Sequence, residues 1–240
     1  MSERVRRPVK PGAGPGSADG VELRERIRTA ALELGFASVG FAPAEPPAHG
    51  GAYLAWLRAG HHADMRWMAR EDAVRRRLDP REALPGCRSL VVVTLAHPDG
   101  SEESLATGNR PGVAPSPESG EALVARYARG RDYHDVFEEK LVALEAVIRE
   151  ADPVSVCKPY VDYGPVLERD HAQRAGLGWI GKNTLLIDPR LGSWLLIGEL
   201  LTSLSIPPDD PFLPDRCGSC TRCMEACPTG AIVEERVVDS

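Results

Sequence analysis

Cys217-Gly218-Ser219-Cys220-Thr221-Arg222-Cys223-Met224-Glu225-Ala226-Cys227-Pro228, followed by Thr229-Gly230-Ala231-Ile232, reads C-x2-C-x2-C-x3-C-P, the spacing of bacterial-type 4Fe-4S ligands. In that pattern the first three thiolates hold one cluster and the fourth reaches across to another. Cys217, Cys220 and Cys223 are therefore expected to share a cluster, and Cys227 to serve a second one whose remaining ligands lie further along. Thirteen residues follow Cys227 and none is a cysteine, so the motif predicts more protein than this chain contains. Structural zinc also uses four cysteines, but as two knuckles separated by a longer loop, because the ligands must surround one tetrahedral ion. Four cysteines in eleven residues fit that poorly. A disulfide framework needs an oxidising compartment, and Pro8, Pro11 and Pro15 interrupt the N-terminal region where a signal peptide would place its apolar core. Cys87 and Cys157 stand singly beside apolar runs and read as small buried hydrophobes.

Outward from the motif, the 240 residues allow one sizeable core plus an appendage. Hydrophobic content of 42% and charged content of 27% are those of an ordinary globular chain. No apolar stretch approaches the ~20 residues that cross a bilayer, and the expectation is a cytoplasmic protein without a membrane. A net charge of -6 gives no global electrostatic case for nucleic acid.

Residues 1–20 are rich in Gly, Pro, Ser and Arg and read as a disordered tail; 98–120 has the same character and reads as a disordered insertion. Between them the pattern is mixed α and β. Residues 21–34 place Ile27, Ala31 and Leu34 on one helical face with Gly35 as C-cap, and 135–150 place Phe137, Leu141, Leu144 and Ile148 at helical spacing. Residues 37–41, 90–95 and 154–161 read as strands, and 165–175 as a helix with Pro165 at its first position. Residues 184–187 and 194–200 read as strands joined by a turn at 188–192. A Pro-rich linker, 206–214, sets the boundary between a body at 21–205 and the start of an iron-sulfur unit at 206–240.

Three blocks outside the cysteines invite chemistry. Asp162 sits where a strand yields to a turn and then a helix. Such a position aims a carboxylate into a cleft, or caps the helix, and spacing alone favours the cap. Gly176, Gly178 and Gly181 beside Trp179, Lys182 and Asn183 suit close approach of backbone to a large ligand. Arg126 to His134 is basic and aromatic, as a phosphate-bearing partner wants, or is simply a solvated loop, with His134 capping the next helix.

Together with Asp64–Arg70, Arg77–Pro80, Val161–Glu168 and Gly176–Thr184, these blocks resemble the epoxyqueuosine reductases over roughly residues 21–240. The resemblance implies an α+β, nitroreductase-like cobalamin-binding domain followed by a ferredoxin-like 4Fe-4S domain, here incomplete. It implies reduction of epoxyqueuosine to queuosine in tRNA, two clusters in the full-length enzyme, and an external electron donor of flavodoxin or ferredoxin type acting on a monomer. Asp162 matches the family's proton-donating aspartate; Arg77, Asp162, Lys182 and Asn183 are the expected cobalamin contacts. The second cysteine set and a C-terminal helical-repeat tail are absent, so this chain is expected to be inactive alone. A non-catalytic electron-transfer module and a corrinoid reductive dehalogenase-like enzyme are the competing readings.

Overall fold

The structure, a computed structural model, describes residues 18–96, 125–128 and 131–240. The expected insertion at 98–120 and residues 1–17 of the expected tail lie outside these, as do Arg129 and Gly130 of the basic block. Residues 18–20, assigned to the tail, instead open helix α1 (Ala18–Glu33). That helix ends as the sequence requires. Gly35 takes φ +86°, its amide returns to Leu32 and the amide of Phe36 to Ala31, which satisfies carbonyls that would otherwise be orphaned.

Strands β1 (Ser38–Pro43), β2 (Ser89–Ala96), β3 (Cys157–Val161) and β6 (Leu195–Thr202) form one antiparallel sheet in the order β1-β2-β6-β3. Successive side chains of a strand face opposite ways, and here both faces are covered. Leu90 and Val92 point into one core with Ala172, Ala175 and Leu177. Val91 and Val93 point into the other, with Ile27, Phe137, Leu141, Leu144 and Ile148. This two-sided burial is why the sequence of β2 is an unbroken apolar run rather than an alternating one. Helix α1 and helix α5 (Tyr133–Ala151) cover the second face. The four spaced apolar residues of α5 are each 0% exposed, and such side chains contribute about 1.5–3 kcal/mol apiece.

The first face is covered by α6 (Glu168–Arg174) and by residues of α4 (Pro80–Ala83). Close approach depends on one glycine: a Cβ on Gly40 of β1 would lie 2.1 Å from the Ala175 carbonyl oxygen. Helices α2 (Gly50–Arg58) and α3 (Glu71–Leu78) complete the crossover between β1 and β2.

Two segments gain detail from the structure. The turn at 188–192 is present, with Asp188 Oδ1 accepting the Arg190 and Leu191 amides at 2.7 and 3.0 Å. Its flanking strands do not pair with each other. β5 (Leu186–Ile187) pairs with β4 (Trp179–Ile180), while β6 enters the middle of the main sheet. The Pro-rich stretch is also more than a tether. Ile206 is buried in the core, and the Asp209 carboxylate accepts from the Arg28 guanidinium at 2.8 and 2.9 Å and from the Phe41 amide at 3.0 Å. Among the described residues no helix is long and apolar enough to cross a membrane.

Candidate active site

β3 stays in register with β6 as far as Val161 opposite Gly198. The chain then turns sharply: Asp162 adopts φ +38°, a left-handed conformation that Asp tolerates better than most residues, and the Tyr163 amide folds back on the Val161 carbonyl. Asp162 is not a helix cap. Helix α6 begins at Glu168, with Leu167 at the N-cap position and no side-chain cap, because the Gly164-Pro165 turn holds the chain away from helical geometry for five residues. The Asp162 carboxylate is left free to project. Tyr133 Oη donates to its Oδ2, and His134 Nε2 lies 3.1 Å from its Oδ1. Both partners come from the first turn of α5, fixed there by Asp132, which caps the helix through the His134 amide at 2.9 Å and meets His134 Nδ1 at 2.7 Å. His134 therefore does not cap the helix; it is the capped residue. Partial burial disfavours its imidazolium, yet the Asp132 and Asp162 carboxylates raise its pKa overall. Burial first, and then the Asp162 charge, raise the Tyr133 phenol, so it stays a donor.

Asp162 lies on the wall of a cleft of about 770 Å³, within the range of small-molecule and cofactor sites. Tyr53, Trp56, Met65, Met68 and Val166 give it apolar surface; Arg77, Arg169 and Arg236 give it cations, and His49 an imidazole. Arg77 is 8% exposed and stacks its guanidinium 5.8 Å from the Tyr53 ring centroid. His49 Nδ1 sits 2.5 Å from Asp170 Oδ2, and its amide donates to the same oxygen at 2.8 Å. The Asp170 hydrogen bond raises the His49 pKa. Burial works against the Asp170 charge, but His49 outweighs it and holds that carboxyl below its ordinary value.

Two groups of the wall were not singled out from the sequence. Glu168, at the start of α6, lines the cleft, and its Oε1 is buried with no hydrogen-bond partner. Burial above all, then the charge of Glu199, pushes its carboxyl up to about 8. Behind it His171 Nδ1 lies 2.9 Å from Glu199 Oε2, with both side chains almost wholly buried. Nothing in one-dimensional spacing pairs a strand glutamate with a histidine 28 positions earlier; only the packing of α6 on the sheet does so.

Lys182 and Asn183 do not line the cleft with Asp162 and Arg77. The Lys182 ammonium pairs with Glu235 at 2.7 Å, and Asn183 accepts from the Leu185 amide at 3.2 Å while donating to Ser193 Oγ at 3.3 Å. They stand instead at the seam with the cysteine motif. Cys217 Sγ lies 3.5 Å from both the Trp179 indole nitrogen and the Lys182 amide. The hairpin β7 (Ile232–Glu234) and β8 (Val237–Val238) locks this seam to the cleft: the Arg236 amide donates to Lys182 O at 3.0 Å, and Trp56 Nε1 to Val238 O at 2.6 Å.

All six cysteines are free thiols. Among the described residues no three His, Cys, Asp or Glu side chains converge on a point that one metal ion would fill. A multi-iron cluster spreads its ligands around a larger body. The donor chemistry suits it: N–H groups aim at Cys217 Sγ, and amides led by that of Ile232, helped by the Thr229 hydroxyl, lower the Cys227 thiol to about 7. Cys87, by contrast, is pushed up to about 11 by burial and is an inert core residue.

Comparison with known proteins gives two family matches, "Epoxyqueuosine reductase QueG, DUF1730" over residues 77–163 and "4Fe-4S binding domain" over residues 211–233. An epoxyqueuosine reductase of Gloeobacter violaceus is 43% identical over 217 residues, covering 90% of this chain and 62% of the relative. That of Escherichia coli is 36% identical over 219 residues, covering 91% and 55%. A crystal structure of epoxyqueuosine reductase with an epoxyqueuosine-modified tRNA-Tyr stem loop superposes with a TM-score of 0.77 at 30% identity, covering 91% of this chain and 55% of that one. The chain thus spans little more than half the length of such relatives.

Proposed function

Because this chain belongs to the epoxyqueuosine reductase family over the length it spans, we propose that it carries the cofactor-binding and proton-donating part of an enzyme that reduces epoxyqueuosine in tRNA to queuosine. In this reading residues 21–205 are a nitroreductase-like catalytic body, residues 206–240 begin the iron-sulfur unit, and the electrons come from an external flavodoxin- or ferredoxin-type donor. The cleft is the place for cobalamin. Its mixture of aromatic, thioether and cationic lining would suit a broad macrocycle with amide and phosphate arms, which Arg77 and Asp162 would hold at the cleft and Lys182 and Asn183 at the seam toward Cys217. Bound there, cobalamin would supply a low-potential reductant for the epoxide.

The chain's own residues handle substrate and protons. Removing the epoxide oxygen to leave an alkene takes two electrons and two protons and releases water, so the oxygen needs an acid beside it. Asp162 is that acid in this proposal. Tyr133 and His134 fix the carboxyl group's orientation through their contacts with Asp162 Oδ2 and Oδ1. The observation that carries the reading is this convergence of Tyr133 and His134 on Asp162 at the cleft wall.

Asp162→Asn in a full-length background tests it. The amide keeps the shape but cannot give the proton, so cobalamin binding persists while turnover falls about 10²–10⁴-fold. Near wild-type turnover would remove Asp162 from the role of acid.

A further inference from the structure

We propose that Trp179 sets the reduction potential of the iron-sulfur group held at Cys217, through an indole N–H that supports the ligand sulfur as negative charge arrives on it. The inference rests on the reading of Cys217 as a cluster ligand and extends it to a residue outside the cysteine motif.

The glycine-rich segment 176–183, which in the sequence suits close approach to a large ligand, carries that support. Trp179 Nε1 and the Lys182 backbone amide each lie 3.5 Å from Cys217 Sγ, so two N–H donors converge on one sulfur. Gly178 lets β4 bring them there. A Cβ on it would lie 2.2 Å from the carbonyl oxygen of Ile187 in β5, the residue paired with Trp179. Successive residues of a strand face opposite ways: Trp179 gives its indole to the sulfur, and Ile180 lines the cleft. β4 therefore stands between Cys217 and the cleft.

The contact is held from both sides. The Trp179 side chain is buried, with its ring 5.7 Å from that of Phe212, and the Arg216 guanidinium lies 6.0 and 5.5 Å from the two ring centroids. On the cysteine side, Asp215 Oδ1 accepts the Cys217 amide at 2.9 Å, and its other oxygen pairs with Arg236. The Arg236 side chain donates to Ile180 O at 3.1 Å, and its amide to Lys182 O at 3.0 Å. One residue of the β7–β8 hairpin thus ties the donor segment to the cysteine loop.

One electron from the external flavodoxin- or ferredoxin-type donor makes and breaks no bond at sulfur and leaves the iron-sulfur group one charge more negative. Hydrogen bonds to ligand sulfurs strengthen as that charge grows, which is why they are among the factors that set cluster potentials. In a site partly closed to water each counts for more. Loss of the indole N–H therefore makes the reduced state harder to reach. A packing role predicts no such change, because Trp179→Phe keeps an aromatic ring beside Phe212 and Arg216 but has no N–H to give.

Anaerobic reconstitution of this 240-residue chain with iron and sulfide, followed by a dithionite redox titration read by electron paramagnetic resonance, tests the proposal. Trp179→Phe is expected to hold as much iron as the wild type and to show a lower potential. The reduction equilibrium should shift about three- to tenfold, which is about 30–60 mV for one electron at about 59 mV per tenfold. An equal potential at equal iron content would overturn the proposal. Should the variant not fold or not hold iron, pulsed resonance on the wild type decides. With tryptophan carrying the heavy nitrogen isotope at the indole position, the reduced iron-sulfur group is expected to show a hyperfine coupling to an indole nitrogen, and absence of that coupling refutes the assignment. Iron content unchanged by Cys217→Ser, or a wild type that takes up no iron, overturns Cys217 as a ligand and the proposal with it.

Discussion

Replacing Glu168 by Gln should stabilise the folded chain, and should do so increasingly as pH rises. The folded state favours the neutral carboxyl, moving its pKa from 4.5 to about 8 through burial and the charge of Glu199. Below pH 4.5 both folded and unfolded chains carry the proton and the group is indifferent. Between 4.5 and about 8 the unfolded chain ionises while the folded one does not, so the wild type loses stability as pH rises, and above that the loss is constant. At about 1.36 kcal/mol per unit, the penalty is about 2 kcal/mol at pH 6 and about 4 kcal/mol at pH 8. Relaxation around the carboxyl, for which an effective dielectric near 20 is appropriate, reduces the growth between them to about 1–2 kcal/mol. Gln keeps the shape and removes only the ionisation; any packing difference is an offset that pH does not change. Urea unfolding of both proteins at pH 6 and pH 8 isolates the difference. A gap between variant and wild type that is the same at both pH values would refute the argument, because it would mean that Glu168 ionises alike in folded and unfolded chains.

His171→Ala leaves the carboxyl of Glu199, which is 0% exposed, without its hydrogen-bond partner, and should cost about 1–3 kcal/mol in urea unfolding; a loss below about 0.5 kcal/mol would show that the pair is not buried as described. Gly40→Ala would drive a Cβ to 2.1 Å from the Ala175 carbonyl oxygen, forcing β1 and α6 apart. A loss of about 1–3 kcal/mol is expected in thermal melts, whereas Gly51→Ala, where nothing lies within 4 Å, should be neutral or mildly stabilising. Anaerobic reconstitution of the wild-type chain should yield no more than about four irons per molecule, and Cys217→Ser should lose most of them. Iron retention unchanged by that substitution would exclude Cys217 as a ligand.

Much of this architecture is local and therefore visible in one dimension. The step of four, three and four from Phe137 to Ile148 puts four side chains on one face of α5 whatever it packs against, and all four are buried. The run Leu90–Val93 demands burial on both sides, and the sheet lies between two cores. Gly35 closes α1 because only its own φ matters there. The cysteine spacing is equally local, and it identified the 4Fe-4S region before any fold was known.

The site was legible only in part. Asp162 could be located but not given a role from spacing, since cap and cleft acid occupy the same kind of position between strand and helix; the Gly164-Pro165 turn, by delaying α6 until Glu168, leaves its side chain on the cleft wall rather than at the cap. Tyr133 and His134 meet Asp162 across 29 and 28 positions, a pairing fixed by where α5 starts relative to the end of β3. Lys182 looked like a ligand-facing residue beside its glycines, yet the hairpin carrying Glu235 draws it to the cysteine seam. The chain itself determined which segments form helices and strands and where the 4Fe-4S motif lies, because those follow from neighbours in sequence. The tertiary structure alone decided which carboxyls are dry, which are paired and which face the cleft, because burial and charge act through space.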